Sequence, residues 1–142
     1  MTDPKTKGEI SEHICKAELV KRGVTVLEPS VENVRYDFVA EEDGEFYRLQ
    51  CKTASKRDDK IRFEVRSSQH NNTGGKRKDY KGEIDFFIIY SPDEDSVYLV
   101  PIEETGKSAK TLRLEPTKNN QSTGVSMAED YTLDKVFGNE LI

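Results

Sequence analysis

Four side chains in this sequence are of the types that hydrolyse phosphodiester bonds: Glu12, Asp37, Gln50 and Lys52. Residues 36–40 and 46–53 both read as strands, joined by the turn-forming stretch 41–44 (Glu-Glu-Asp-Gly). Along the second strand Phe46, Arg48, Gln50 and Lys52 alternate with Tyr47, Leu49, Cys51 and Thr53, so Gln50 and Lys52 share a face. The hairpin brings Asp37 beside them. A carboxylate, an amide and an ammonium gathered on rather apolar strands need partners or a metal, because a buried charge is costly alone.

Metal-assisted hydrolysis meets that need. Magnesium prefers oxygen ligands and commonly takes one or two carboxylates, with water and substrate phosphate completing its shell. Asp37 is expected to hold the metal, Gln50 to offer its amide oxygen or position a water, and the backbone carbonyl of Cys51 to add a ligand. Glu12 is a second carboxylate, acting directly or through a water. Lys52 stabilises the attacking hydroxide or the charge growing on the phosphate. Mg²⁺ is the expected cofactor, with Mn²⁺ as a substitute.

The elements that must position these groups follow from periodicity and turn signals. Residues 5–22 predict a helix ended by Gly23, with Ile10, Ile14 and Ala17 on one face and Cys15 and Leu19 on another, near Glu12. A helix apolar on two sides is expected between layers, or between a sheet and a second subunit. Residues 24–28 form a short strand and 29–33 a turn. Residues 54–60 turn the chain into a strand at 61–66, and 67–81 form a long polar loop. The apolar run 85–90 is a strand buried on both faces, 97–102 is its partner, 111–114 is an edge strand, 117–124 is loop and 126–131, or a little beyond, is a short helix. The result is a mixed α/β fold in a single domain spanning 1–142. Cys15 and Cys51 lack CxxC spacing and read as reduced core residues. His13 and His70 have no further Cys or His at ligand spacing, so zinc is not expected. Asp85 suits a turn or cap, or a place behind the site.

The chain is 35% charged and 34% hydrophobic, with net charge −5. That average hides an asymmetry. Residues 52–81 carry ten Lys and Arg against four acids, while the remainder carries twelve against twenty-three. A local basic stretch is what phosphate binding requires. Lys56, Arg57, Lys60, Arg62 and Arg66, with Lys76, Arg77, Lys78 and Lys81 in the long loop, are the candidate phosphate contacts. Gln69, Asn71 and Asn72 are of the types that read base edges. No run of apolar residues is long enough for a membrane helix, the start of the chain lacks a signal peptide's apolar stretch, and a cytoplasmic protein is expected.

Three segments carry a resemblance. Lys7-Gly8-x-x-x-Glu12, followed by Cys15, Leu19 and Gly23, is similar to the opening helix of archaeal Holliday junction resolvases. Arg35-Tyr36-Asp37-Phe38 resembles the PD position of the PD-(D/E)xK nuclease superfamily, with Tyr in place of Pro. Leu49-Gln50-Cys51-Lys52-Thr53-Ala54 resembles its (D/E)xK position, with Gln in place of the acid. That Gln variant looks like the PD-(D/E)xK homing endonuclease of group I introns, whose site set of Glu, Asp, Gln and Lys matches in order and spacing. The resemblance covers residues 5–54 well and continues more loosely through Tyr80, 85–90, 97–101 and 118–121. It implies a restriction-endonuclease-like core, an N-terminal helix on a mixed β-sheet, and a magnesium-dependent DNA endonuclease. Losing one acid to Gln50 implies weaker metal binding, with activity at about millimolar free magnesium.

Three readings compete: a homing-type endonuclease, a Holliday junction resolvase, and an inert DNA-binding module, any of them alone or as one part of a larger machine. Cutting both strands of duplex or branched DNA takes two sites, so a homodimer or homotetramer is expected.

Overall fold

The computed structural model describes residues 3–66, 82–116 and 124–141. Helix α1 (Pro4–Lys21) is followed by strands β1 (Thr25–Leu27), β2 (Phe38–Glu42), β3 (Glu45–Thr53), β4 (Ser55–Arg57), β5 (Lys60–Glu64), β6 (Phe86–Ser91), β7 (Ser96–Pro101) and β8 (Ala109–Arg113), then by the short helix α2 (Asp134–Phe137). Turns of 3₁₀ helix occupy Ile102–Glu104 and Ala128–Tyr131. The second of these falls within the short helix predicted over 126–131 or a little beyond, and α2 follows after two residues. The predicted turn over 54–60 instead contains β4, joined to β5 by two residues, Asp58 and Asp59. Asp58 takes the left-handed conformation that so short a connection requires.

The ends of α1 follow from local chemistry. Asp3 accepts the Thr6 N–H at 2.8 Å, and Pro4 stands at a first-turn position that needs no donor. At the far end the N–H groups of Gly23 and Val24 donate to the carbonyls of Val20 and Leu19, at 3.0 and 3.1 Å. This closure needs a left-handed residue at 23, which glycine supplies with φ of +76°.

Five strands form one sheet in the order β1-β2-β3-β6-β7. All its pairs are antiparallel except β3 with β6. Beneath α1 the sheet buries Phe38, Ala40, Leu49, Ile88 and Leu99 against Cys15 and Leu19 of the helix, with Leu133 and Phe137 closing the cluster. On its other face Phe87, Ile89 and Val100 meet Ile61, Phe63 and Leu112 of a second sheet, ordered β4-β5-β8. Strand β6 is therefore buried on both faces, as its unbroken apolar sequence implies. Among the described residues of this chain, the helix is covered on one side. Ser11, Cys15 and Leu19 are buried, whereas Ile10 and Ala17 face outward. No helix among the described residues is long and apolar enough to cross a membrane.

Candidate active site

The register of the hairpin explains how Asp37 reaches β3. Asp43 and Gly44 both have positive φ, the signature of a tight two-residue turn, and they fix Phe38 opposite Leu49. Asp37 lies just before β2, and its N–H donates to the Leu49 carbonyl at 2.8 Å. The next rung toward the chain start is not a backbone bond. The Cys51 N–H donates instead to Asp37 Oδ2 at 2.7 Å. A carboxylate thus stands where the neighbouring strand's carbonyl would be, and β2 and β3 part at this point. A strand residue's N–H and C=O point to the same edge, so the Cys51 carbonyl opens toward the same gap. An Asp37 oxygen and the Cys51 carbonyl therefore both stand at the gap where β2 and β3 part.

Lys52 rises from the face opposite α1. Its ammonium donates to the Arg66 carbonyl at 3.1 Å and lies 6.0 Å from the centre of the Phe87 ring. Burial lowers the Lys52 pKa, Asp37 opposes that shift, and Arg35 adds to it. Burial also raises the Asp37 pKa, against the Cys51 N–H and Lys52, which lower it. Glu12 approaches from α1. Its carboxyl is raised first by burial and next by the Asp37 carboxylate. The Glu12 carboxyl thus responds to Asp37, and Asp37 and Lys52 respond to each other. Gln50 is half-buried on β3, on the Lys52 face.

Burial raises the proton affinity of both carboxyls, and the Asp37 carboxylate raises that of Glu12 further, which disfavours two bare anions here and suits a cation between them. Neither forms an ion pair within 4 Å among the described residues. Were the Gln50 amide and the Cys51 carbonyl to join them, the donors would all be oxygen, the set that a hard divalent cation takes. No three His, Cys, Asp or Glu side chains converge as a metal cluster among the described residues, in keeping with an amide at position 50.

The basic candidates divide by strand geometry. Register places Arg57, Lys60 and Arg113 in one row across β4, β5 and β8, on the outer face of the second sheet. Arg62 lies on that same face, beside Glu64 at 3.7 Å. Arg66 is exposed at the end of β5. Lys56 does not join them. It shares the inward side with Ile61 and bonds Glu94 at 2.9 Å. Gln69, Asn71, Asn72, Lys76, Arg77, Lys78 and Lys81 lie outside the described residues, as do His70 and Tyr80. Arg113 escaped the sequence reading, since only the β5–β8 register reveals its neighbours. Asp85 is a structural clamp: its Oδ2 accepts the Arg48 N–H at 2.7 Å, and its own N–H donates to the Arg48 carbonyl at 2.9 Å.

A helix laid on a mixed sheet, with an acid at a strand split and Gln50 and Lys52 two residues apart on the adjoining strand, defines a restriction-endonuclease-like α/β protein. A PD-(D/E)XK endonuclease family model matches residues 2–134, and the chain belongs to that family of DNA nucleases. The bacterial homing endonuclease I-Ssp6803I has a similar structure, with a TM-score of 0.71 and 24% identity over 92% of this chain and 88% of that one. So does Hjc, a Holliday junction resolvase from the archaeal hyperthermophile Archaeoglobus fulgidus, with a TM-score of 0.56 and 12% identity over 96% of this chain and 99% of that one. No match is found among curated proteins.

Proposed function

We propose that this chain, acting as one nuclease domain, is a magnesium-dependent DNA endonuclease of the homing type. The observation that carries this reading is the strand split, where the Asp37 carboxylate replaces a backbone rung. Asp37, Glu12, the Gln50 amide oxygen and the Cys51 carbonyl would hold the metal, with Mn²⁺ able to replace Mg²⁺. When bound, the metal supplies Lewis acidity and lowers the pKa of a bound water. The chain's own part is to set the geometry around it. Asp37 is fixed by the Cys51 N–H, and Glu12 by the helix cap and by α1 packing on the sheet. Lys52, held by Phe87 and the Arg66 carbonyl, presents a positive charge to the oxygens of the cleaved phosphate.

The homing-type reading rests on Gln50 and on the greater likeness to I-Ssp6803I. Supercoiled, linear, branched and single-stranded DNA incubated with Mg²⁺ tests it. Cutting of duplex at one or a few sites supports it. Junction cutting without sequence preference replaces it with a resolvase, and binding without cutting of any form replaces it with an inert module. Two cuts per duplex require two sites, which a homodimer or homotetramer provides.

The outer face of the second sheet is the proposed DNA contact. Cations set side by side across strands repel one another, so Arg57, Lys60 and Arg113 are better matched to an anion than to each other. Changing Arg113 to alanine is expected to weaken binding similarly on all duplex sequences, and to lower the slope of log affinity against log salt by about one. A fluorescence anisotropy titration at several salt concentrations measures both. Unchanged slope and affinity would remove Arg113 from the interface.

A further inference from the structure

A groove of about 720 Å³ runs between the first half of α1 and the end of β3, on the opposite side of β3 from Lys52. It lies at the carboxyl ends of the parallel strands β3 and β6, where helix and strand ends leave a crevice. Lys7, Ser11, Thr53, Ser55 and Lys56 line it, with Asp93 as its one acid. Lys56 reaches this groove because its position in β4 turns it away from the outer face of the second sheet.

The floor is a built feature. Ser11 is 1% exposed, and its Oγ lies 2.5 Å from Thr53 Oγ1. Two hydroxyls joined by one hydrogen bond use one of their two protons. The second O–H makes no other hydrogen bond among the described residues, so the pair still has a donor to give. Ser11 precedes Glu12 and Thr53 follows Lys52, so the backbone that sets the cutting groups also sets this floor. Against Asp93 the groove offers the Lys7 ammonium, a spare hydroxyl proton and, once it leaves Glu94, the Lys56 ammonium, a set that suits a singly charged anion. Lys56 would exchange Glu94, now at 2.9 Å, for that anion.

We propose that this groove holds a backbone phosphate of the DNA strand next to the one being cut. The proposal rests on the nuclease reading and assigns the α1 side of β3 a share in holding the substrate. Lys7 and Lys56 neutralise the phosphate, and the Ser11–Thr53 pair donates to it.

The test uses the full chain and a short duplex of mixed sequence, with Ca²⁺ in place of Mg²⁺ to hold the complex uncut. Lys7→Ala is expected to lower the log–log salt slope by about one. Thr53→Val keeps the branched shape of the side chain and removes the hydroxyl, and is expected to weaken binding roughly 2- to 10-fold. Lys135→Ala, on α2 and away from the groove, serves as the control and leaves slope and affinity unchanged. Thermal melting of each variant separates lost contact from lost fold. Parent-like slope and affinity in both groove variants would overturn the phosphate site while leaving the nuclease reading intact. A parent protein that neither binds nor cuts DNA would overturn the nuclease reading, and this inference with it.

Discussion

Asp37→Asn is expected to abolish cleavage, by about 10³-fold or more, while making the metal-free protein more resistant to heat. The loss follows from removing one of two carboxylates at the strand split. The stability gain follows from the sign of the Asp37 shift. Burial raises its folded pKa above the unfolded value, so between those two values the folded state binds more protons than the unfolded one. Stability contributed at low pH is therefore lost as pH rises through that window, and at neutral pH the parent carries the full cost of a half-buried charge. Asparagine never ionises, and its side-chain oxygen can still accept the Cys51 N–H. Melting curves from mild acid to neutrality should show the parent losing stability on the way up and the variant changing less. Added Mg²⁺ should raise the parent's midpoint and leave the variant's where it was. An Asp37→Asn protein that cuts at the parent rate, or that melts below the parent at neutral pH without metal, would refute this account.

Lys52→Ala is expected to lower the cleavage rate by about 10²- to 10³-fold and to leave most DNA affinity in place. Its ammonium sits between the Phe87 ring and the Arg66 carbonyl, and few of the phosphate contacts proposed above involve it. Arginine is expected to substitute poorly, because a planar guanidinium differs from a compact ammonium in shape and hydration. The pH profile adds a second readout. Burial lowers the Lys52 pKa and raises those of Glu12 and Asp37. If the lysine must be charged and the acids ionised, the alkaline limb moves down and the acid limb moves up, so the active range narrows from both sides. In Lys52→Ala the alkaline limb should disappear. Cleavage at the parent rate, or DNA binding lost as completely as cleavage, would count against a role for Lys52 at the reacting phosphate.

The sequence showed the hairpin and helix well, because their signals are local. Glu-Glu-Asp-Gly between two alternating strands marks a turn, and the register then brings Asp37 to β3. Gly23 marks the end of α1 for an equally local reason, the left-handed conformation of its closure. What was hidden depends on pairing between distant segments. Ser55–Arg57 looks like a turn by composition, and it becomes a strand only because β5 pairs with it. That pairing turns Lys56 inward and away from Arg57 and Lys60. Arg113 lies on a strand legible in outline, but its alignment with Lys60 is a fact of the sheet and not of the sequence around it. The helix face of Ile10 and Ala17 is covered by none of the described elements, so of the two covers its apolar periodicity implied, a further layer of this chain is absent among them and a second subunit is the other. The Ser11–Thr53 contact joins residues 42 positions apart and carries no sequence signal.

The bond from the Cys51 N–H to Asp37 gives the protein a built-in sensor. A main-chain proton there is attached to the very carboxylate on which the proposed chemistry turns. Its resonance frequency and its rate of exchange with solvent respond to whether that acid carries a proton, a cation or neither. The state of the reacting centre can thus be followed from an amide signal, with no substrate present and no label at the site.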